Sequence, residues 1–514
     1  MKLSKLAKIL DLKPLGGSDP EITGIREDSR EILPMEMFAA VKGANLDGRN
    51  FIDSALKNGA AAVLLSPPDM PEIGPRLLVD DSRFQNVMGS AAREIYMRPD
   101  EKLSLIGLTG TNGKSTVSYL LEAILKTYGQ QTGVIGTVDF RWPSGRSEAP
   151  NTTPLGPLLY RTLLSMVNGG CERVVLEVSS HALALGRVND LRFDGALFTN
   201  LSRDHLDFHG TMEEYYQAKK KLFTENLKVS GCMVVGIDDQ YGSRLFSELG
   251  SKAVSFGLSE KANYRGVEID LAFCGLAFTA LTPEGPIRLR SPLLGRFNVL
   301  NVLAALAMAR ELGIDKEIII EALEIAQGAP GRLQRVGDEY LVLVDYAHTP
   351  GALAGALESV RALEPEHLIV IFGCGGDRDR GKRPLMGSEA GRLSDLAILT
   401  SDNPRTEDPM AIINETAVGL TSLGLEPINS SEFEGLKAGE LSEGKKISSW
   451  LKGRFIIEPD RRKAIKLAVK LMNRGDLVLV AGKGHEDYQI IGRKKIKFDD
   501  VEEVTAALKE IGRL

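Results

Sequence analysis

The sequence predicts an α/β protein of three domains whose parallel sheets carry ligand loops at their strand ends. Three observations predict it. At 514 residues the chain exceeds the roughly 250–300 residues that one hydrophobic core organises. Beyond residue 98, short apolar strands alternate with helical periodicity, the pattern of parallel α/β sheets. Between one such strand and its helix lies "GLTGTNGKST", Gly107 to Thr116, which joins glycines to a lysine and hydroxyls. Turn clusters in "YMRPDEKL" and "AQGAPGRLQRVGDEY" divide the chain into 1–98, 99–330 and 331–514.

Composition narrows the function classes. Hydrophobic residues make up 43% and charged ones 26%, the balance of a soluble globular protein. The net charge of −6 disfavours nucleic acid or an anionic membrane as main partner. No apolar run reaches the ~18 residues of a bilayer span, and "MKLSKLAKILDLKPLGG" lacks the apolar core of a secretory signal. Cys171, Cys232, Cys274 and Cys374 never form C-x-x-C, which argues against a zinc site and for reduced thiols in a cytoplasm.

Taken in order, the apolar strands end in polar loops. "LSLIGL" runs into the glycine–lysine loop, "RVVLEV" into "SSHAL", "GALFTN" into "LSRDH". "HLIVIF" runs into "GCGGDRD", "LAILT" into "SDNPR", and "LVLVAG" into "KGHED". Ligands of open α/β sheets sit beyond the carboxyl ends of strands, so these loops predict the functional site. Five of the six histidines fall in or beside such motif stretches, and His367, at a strand start, looks idle.

The glycine–lysine loop departs from the longer phosphate-loop spacing, with Leu108 where a glycine is expected and Gly110 arriving two residues later, three before Gly113. Its context still supports a phosphate site. Val117, Leu120, Leu121, Ile124 and Leu125 follow at helical spacing. Backbone N–H groups of Gly110, Thr111, Asn112 and Gly113, with the helix N-terminus at Ser115 and Thr116, would hold an anion. Lys114 would neutralise it, and the Ser115 hydroxyl can ligate Mg²⁺.

A second signal is a lysine on an apolar stripe. In "TNLSRDHLDFHGTMEEYYQAKKKLF" three lysines follow one another, but the helical neighbours of Lys219 are Tyr215, Tyr216, Leu222 and Phe223. Those of Lys221 are Gln217, Ala218, Thr224 and Glu225. Burial predicts a neutral Lys219 amine, which can capture CO₂ as a carbamate.

The shortened loop "TGTNGKST" resembles that of the Mur ligase and folylpolyglutamate synthetase superfamily, a likeness that extends over nearly the whole chain. It implies a small mixed α/β N-terminal domain, a central domain with a P-loop mononucleotide-binding parallel sheet, and a C-terminal Rossmann-like sheet. It implies ATP as co-substrate and magnesium held by Ser115, Glu177 of "LEVSSHAL", His205 of "SRDHLDFHG" and Lys219 as its carbamate. Oxygen ligands with one imidazole suit Mg²⁺; taken alone, Glu177 or His205 is more often structural. The same likeness puts Asn298 and Asn301 of "GRFNVLNVLAA" near adenine, positions whose residues alone also fit a helix cap and a surface asparagine. It adds Asp345, Tyr346 and His348 of "VDYAHTPGAL" to the nucleotide site.

Within that family the likeness is strongest to the MurE-type branch, which adds the third amino acid of the peptidoglycan stem. For UDP-MurNAc-L-Ala-D-Glu it implies Ser29, Asn45, Asp47, Asn151, Thr152, Thr153, Ser179 and Arg187. For the amino acid it implies Arg378, Asp402, Asn403, Pro404, Arg405, Gly482 and Glu486. "DNPR" is similar to the form in enzymes adding meso-diaminopimelate, and the chemistry agrees. A guanidinium on Arg405 can hold the distal carboxylate by two parallel hydrogen bonds and would repel the ammonium of lysine. Glu486 would supply the negative charge for a substrate ammonium. Some twenty extra residues around 425–453 read as a surface insertion. The expected protein is thus a cytoplasmic, monomeric ATP-dependent ligase acting on small molecules. The rivals are a lysine-adding relative, a folylpolyglutamate-type ligase and a non-catalytic ATP-binding scaffold.

Overall fold

The computed structural model describes residues 1–43, 46–337, 340–430 and 453–513. They divide into two compact units. One comprises Met1–Val267, Ala280–Ile287 and Leu300–Leu323; the other comprises Glu268–Thr279, Arg288–Val299 and Glu324–Leu514.

The first unit begins with a five-stranded mixed sheet. Gly24–Arg26, Glu36–Ala39, Ala62–Leu65 and Arg76–Leu78 pair in parallel, and Pro14–Leu15 closes the far edge antiparallel. The next sheet has a parallel core in the order Thr132–Ile135, Arg173–Glu177, Ser104–Thr109, Phe193–Phe198, Leu227–Gly236, Ala253–Gly257. Its central strand, Ser104–Thr109, lies between Arg173–Glu177 and Phe193–Phe198. Both neighbours therefore deliver their following loops beside the glycine–lysine loop. The predicted helix forms at Lys114–Thr127 with Val117, Leu120, Leu121, Ile124 and Leu125 buried.

One apolar core runs through both of these sheets, from Leu3, Met37 and Leu64 to Leu105, Leu176 and Phe198. Helix Asp81–Ile95 meets helix Gly156–Asn168 where Gly156 lies against Gly89, and a Cβ on Gly156 would overlap the Gly89 backbone. Such backbone approach requires glycine.

In the second unit a seven-stranded sheet runs Gln334–Val336, Leu341–Asp345, Leu477–Ala481, Leu368–Phe372, Leu396–Leu399, Arg454–Ile457, Glu426–Asn429. All pairs are parallel except the first. Alternate residues feed two cores: Leu343, Val370 and Leu479 on one face, Val342, Ile369 and Val478 on the other. Burial on both faces explains why these strands read as continuous apolar runs. A hairpin, Tyr488–Ile491 with Lys494–Lys497, touches the loop after Leu399 through an Arg405–Ile491 bridge. Residues 431–452, most of the predicted insertion, lie outside the described residues. No described helix is long and apolar enough to cross a membrane.

Candidate active site

The glycine–lysine loop is built around two glycines with positive φ, Gly110 at 143° and Gly113 at 89°. A Cβ on Gly110 would overlap the Thr199 hydroxyl, and one on Gly113 would overlap Asn301 Oδ1. The shifted glycine is thus needed where it stands. Around it the loop is fixed by residues just after the adjacent strand Phe193–Phe198: Thr199 Oγ1 donates to Asn112 O at 2.6 Å, and Asn112 N donates to Asn200 Oδ1 at 3.0 Å. Lys114 Nζ folds back onto the carbonyls of Gly110 and Thr111, both at 2.9 Å. Ser115 and Thr116 are buried in the first helical turn.

Of the four predicted magnesium ligands, Ser115 and Glu177 are bonded to each other, Oγ to Oε2 at 3.0 Å. Glu177 is buried and also accepts from Thr137 N at 3.1 Å and Thr137 Oγ1 at 2.9 Å. Lys219 reaches the same loop, donating to Gly110 O at 2.8 Å. It is 2% exposed, whereas Lys220 pairs with Glu248 at 2.9 Å. Burial, reinforced by the nearby Lys114 charge, lowers the Lys219 pKa well below the ordinary lysine range, the direction that favours a neutral amine. His205 lies on the adjoining loop with φ 52°, half-exposed, Nε2 3.4 Å from Asp204 Oδ2 and its ring 5.0 Å from that of His181.

The predicted muramyl-peptide residues Thr152, Thr153, Ser179 and Arg187 come together beside Glu177. Thr153 Oγ1 donates to Glu177 O at 2.8 Å and accepts from Ser179 N at 2.9 Å. Thr152 Oγ1 is 3.1 Å from Thr137 Oγ1, and Arg187 Nη1 donates to Thr153 O at 2.9 Å. Arg187 Nε is buried without a hydrogen bond, an unspent donor in a polar cluster. Asn151 is exposed on the same turn. In the N-terminal sheet, Ser29 is buried and its carbonyl accepts from Asn58 Nδ2 at 2.8 Å. Asp47 caps the turn Gly48–Phe51 and pairs with Arg49 at 2.7 Å. Asn45 lies outside the described residues.

The second unit carries Asp345, Tyr346, His348 and the predicted amino-acid residues in the loops after the strands of its sheet, and Asn298 on a helix. Asp345 accepts from Leu333 N and Ala347 N, both at 2.8 Å, and burial raises its pKa. Tyr346 meets the His348 ring edge-on at 4.6 Å and the His485 ring at a tilt at 5.1 Å between centroids. Asn298 Nδ2 donates to Leu294 O at 2.7 Å at the start of helix Phe297–Glu311. Asn403 Nδ2 donates to Glu486 Oε2 at 2.9 Å, joining two loops 83 residues apart. Arg405, at φ 52°, donates through Nη1 to Gly376 O at 2.7 Å. A Cβ on Gly375 would lie 3.0 Å from Arg405 Nη1 and 3.8 Å from Arg378 Cγ, so both arginines meet the same turn. Gly376 packs on the Pro404 carbonyl, and Gly482, at φ 121°, faces Asp402.

These loops coincide with three family models that together span most of the chain. "Mur ligase family, catalytic domain" matches residues 21–97, "Mur ligase middle domain" 108–309, and "Mur ligase, glutamate ligase domain" 331–484. A relative from Geobacter metallireducens, named UDP-N-acetylmuramoyl-L-alanyl-D-glutamate--2,6-diaminopimelate ligase, is 44% identical over 99% of both chains. The chain belongs to the Mur ligase family. A solved structure titled as the same ligase is 34% identical, covers 96% of this chain and 95% of its own, and has a TM-score of 0.64. MurF ligase from Thermotoga maritima, solved in complex with ADP, shares the fold at 19% identity and a TM-score of 0.61, covering 95% and 97%. The Mur ligase architecture of three domains, N-terminal, central nucleotide-binding and C-terminal, is that of this chain.

Two residues of this Mur ligase escaped the sequence reading. Thr137, in the loop after Thr132–Ile135, binds both oxygens of Glu177; its position after a parallel strand was the available signal. Lys483 stands inside the quoted "AGKGHEDYQ" and is fully buried among Asp402, Asn403 and Glu486. His367, which looked idle, bonds Asp476 through Nδ1 at 2.7 Å.

Proposed function

We propose that this Mur ligase joins meso-2,6-diaminopimelate to UDP-N-acetylmuramoyl-L-alanyl-D-glutamate at the expense of ATP, in the cytoplasm and as a monomer. The observation that carries the reading is Arg405. It sits in the D-N-P-R stretch of a chain alignable end to end with relatives bearing that ligase's name. A guanidinium whose Nη1 is fixed on Gly376 O is oriented for a carboxylate, which diaminopimelate has at its distal end and lysine lacks.

In this reading domains 1–98, 99–330 and 331–514 bind the uridine nucleotide, ATP and the amino acid. Ser29, Asn45 and Asp47 receive the uridine diphosphate part; Asn151, Thr152, Thr153, Ser179 and Arg187 receive the muramyl dipeptide. Gly110 to Thr116 bind the ATP phosphates, with Asn298, Asn301, Asp345, Tyr346 and His348 toward adenine and ribose. The D-glutamate γ-carboxylate attacks the γ-phosphorus, giving an acyl phosphate and ADP. Lys114 would leave its loop carbonyls for the phosphate, offsetting charge as it moves. The diaminopimelate amine then attacks the acyl carbon and phosphate departs. Arg378, Asp402, Asn403, Pro404, Arg405, Gly482 and Glu486 hold and orient that amino acid.

The donor set suits magnesium: Ser115 Oγ and Glu177 Oε2 are hard oxygens 3.0 Å apart, with the Lys219 amine on the same loop. Ser115, Glu177, His205 and carbamylated Lys219 would hold it. When bound, the ion lowers the charge barrier to phosphoryl transfer. Intact mass of the native protein should exceed the sequence mass by one CO₂, and Lys219→Met should abolish the increment.

The deciding assay is phosphate release with ATP, Mg²⁺ and the UDP-muramyl dipeptide, meso-diaminopimelate against L-lysine. Release with diaminopimelate alone, lost in Arg405→Ala, is expected. Release with lysine would sink the role given to Arg405, and release with neither would sink the ligase reading.

A further inference from the structure

Lys483 is the residue of the amino-acid loops with no part in the reading above. Its side chain is 0% exposed, and a buried ammonium is costly unless its surroundings answer it. Three side chains do. Nζ lies 3.3 Å from Glu486 Oε2, 3.3 Å from Asn403 Oδ1 and 3.6 Å from Asp402 Oδ1. All three belong to the stretches assigned to diaminopimelate.

The pattern of bonds is directional. Asn403 Oδ1 accepts from Ile490 N at 2.9 Å as well as from Lys483, which turns the Asn403 amide nitrogen to Glu486. Glu486 Oε2 therefore takes two donors, Lys483 and Asn403, while Oε1 accepts none among the described residues. Asp402 Oδ1 is buried and has no hydrogen bond, so the ammonium at 3.6 Å is its charge partner. Two other buried cations nearby are engaged elsewhere: Arg461 by Asp500 through two bonds of 2.8 and 2.7 Å, and Arg383 by Glu407 and Glu415.

We propose that Lys483 is a positioning residue for the amino-acid substrate. It clamps Glu486 by one carboxylate oxygen, leaving the other to accept a substrate ammonium, and it cancels one of the two negative charges of Asp402 and Glu486. The pocket then presents one net negative charge to an ammonium, beside Arg405 for a carboxylate. Such a site takes the zwitterionic end of an amino acid and not a bare ammonium. This inference rests on the ligase reading.

Lys483→Met keeps length and removes the charge. Its KM for meso-diaminopimelate should rise about 10- to 100-fold, the scale of a hydrogen bond to a charged group, while KM for ATP and kcat at saturation stay within about threefold. Its preference for diaminopimelate over lysine should shrink. Because Lys483 acts through Glu486, adding Lys483→Met to Glu486→Gln should cost less than about threefold more. Multiplicative effects in the double variant, or KM values for both substrates rising together, would overturn the proposal in favour of a merely structural lysine. If Lys483→Met does not fold, Lys483→Gln, which can still donate to Asn403, carries the same comparison. Wild-type protein without diaminopimelate turnover would bring down the ligase reading and this inference with it. Turnover that Lys483→Met leaves unchanged would bring down this inference alone.

Discussion

Around Gly110, Lys114 and Lys219 donate to backbone carbonyls, and Glu177 accepts from the hydroxyls of Ser115 and Thr137 and an amide N–H. Around Asn403 charge answers charge: Lys483 faces Asp402 and Glu486, Arg461 is locked to Asp500, and Arg383 joins Glu407 and Glu415. The difference matches what each region must do. Side chains held by neutral dipoles can exchange those partners for an incoming phosphate without stranding a buried counter-charge. Buried ion pairs cannot exchange so cheaply, and they fix geometry for recognition.

The largest expected effect breaks the charge-held region. Arg461 and Asp500 are both fully buried and doubly bonded. Arg461→Met leaves the Asp500 carboxylate without a partner and should cost about 3–5 kcal/mol of stability, read as a lowered denaturant midpoint. Arg461→Met with Asp500→Leu should recover most of the loss; if it does not, the pair's charges are not what holds this region.

Lys114→Met tests the dipole-held region in the opposite sense. Lys114 donates to two carbonyls of its own loop, so stability should move by about 1.5–3 kcal/mol, the range of a hydrogen bond made by a charged group. Phosphate release, by contrast, should fall on the order of 10²–10³-fold, the loss typical of a transition-state charge partner. A large loss of stability with little loss of rate would erase the contrast between the two regions.

How much of this was legible beforehand follows from sequence distance. The glycine–lysine loop is contiguous, and its strand and helix announced themselves by periodicity. Lys219 was legible because its helical neighbours Tyr215, Tyr216, Leu222 and Phe223 are all buried, as their spacing required. Thr137 meets Glu177 across 40 residues and Lys483 meets Asn403 across 80. Neither contact has a local signature; each exists because parallel strands deliver distant loops to one edge. The continuity of the N-terminal and central cores was likewise hidden. It includes the close approach of Gly156 to the Gly89 backbone, whereas the sequence displays only the turn near residue 98.

Thr137→Val sharpens the comparison with a smaller expected effect. The substitution removes the hydroxyl bonded to Glu177 Oε2 at 2.9 Å and keeps the backbone N–H bond to Oε1. One hydrogen bond to a charged group is worth about 1.5–3 kcal/mol, and Ser115 still holds Oε2, so the low end applies. Binding of magnesium–ADP, followed by calorimetry, should weaken about tenfold, and Thr137→Ser should restore it. Equal affinity in Thr137→Val would mean that the hydroxyl does not steer Glu177.

The smallest effect is a slope against pH, and it sets Asp345 apart from the paired carboxylates of its own unit. Asp345 ends a buried strand and, among the described residues, accepts from two backbone N–H groups. Burial outweighs those bonds and the Arg332 charge, holding its pKa above the ordinary carboxylate value. Glu407, bonded by Arg383 and the Asp377 N–H, is instead drawn down to about 2. For Asp345 the native state keeps its proton in a window where the unfolded chain has lost it. Its contribution to stability is therefore complete below the ordinary carboxylate pKa and is lost as pH rises through the native one. Asp345→Asn cannot titrate, so unfolding free energies of wild type and variant should converge or diverge steadily across that window, with the wild type losing ground as pH rises. Parallel curves would mean that Asp345 ionises as easily in the fold as in the open chain, and that two N–H groups suffice to hold its charge.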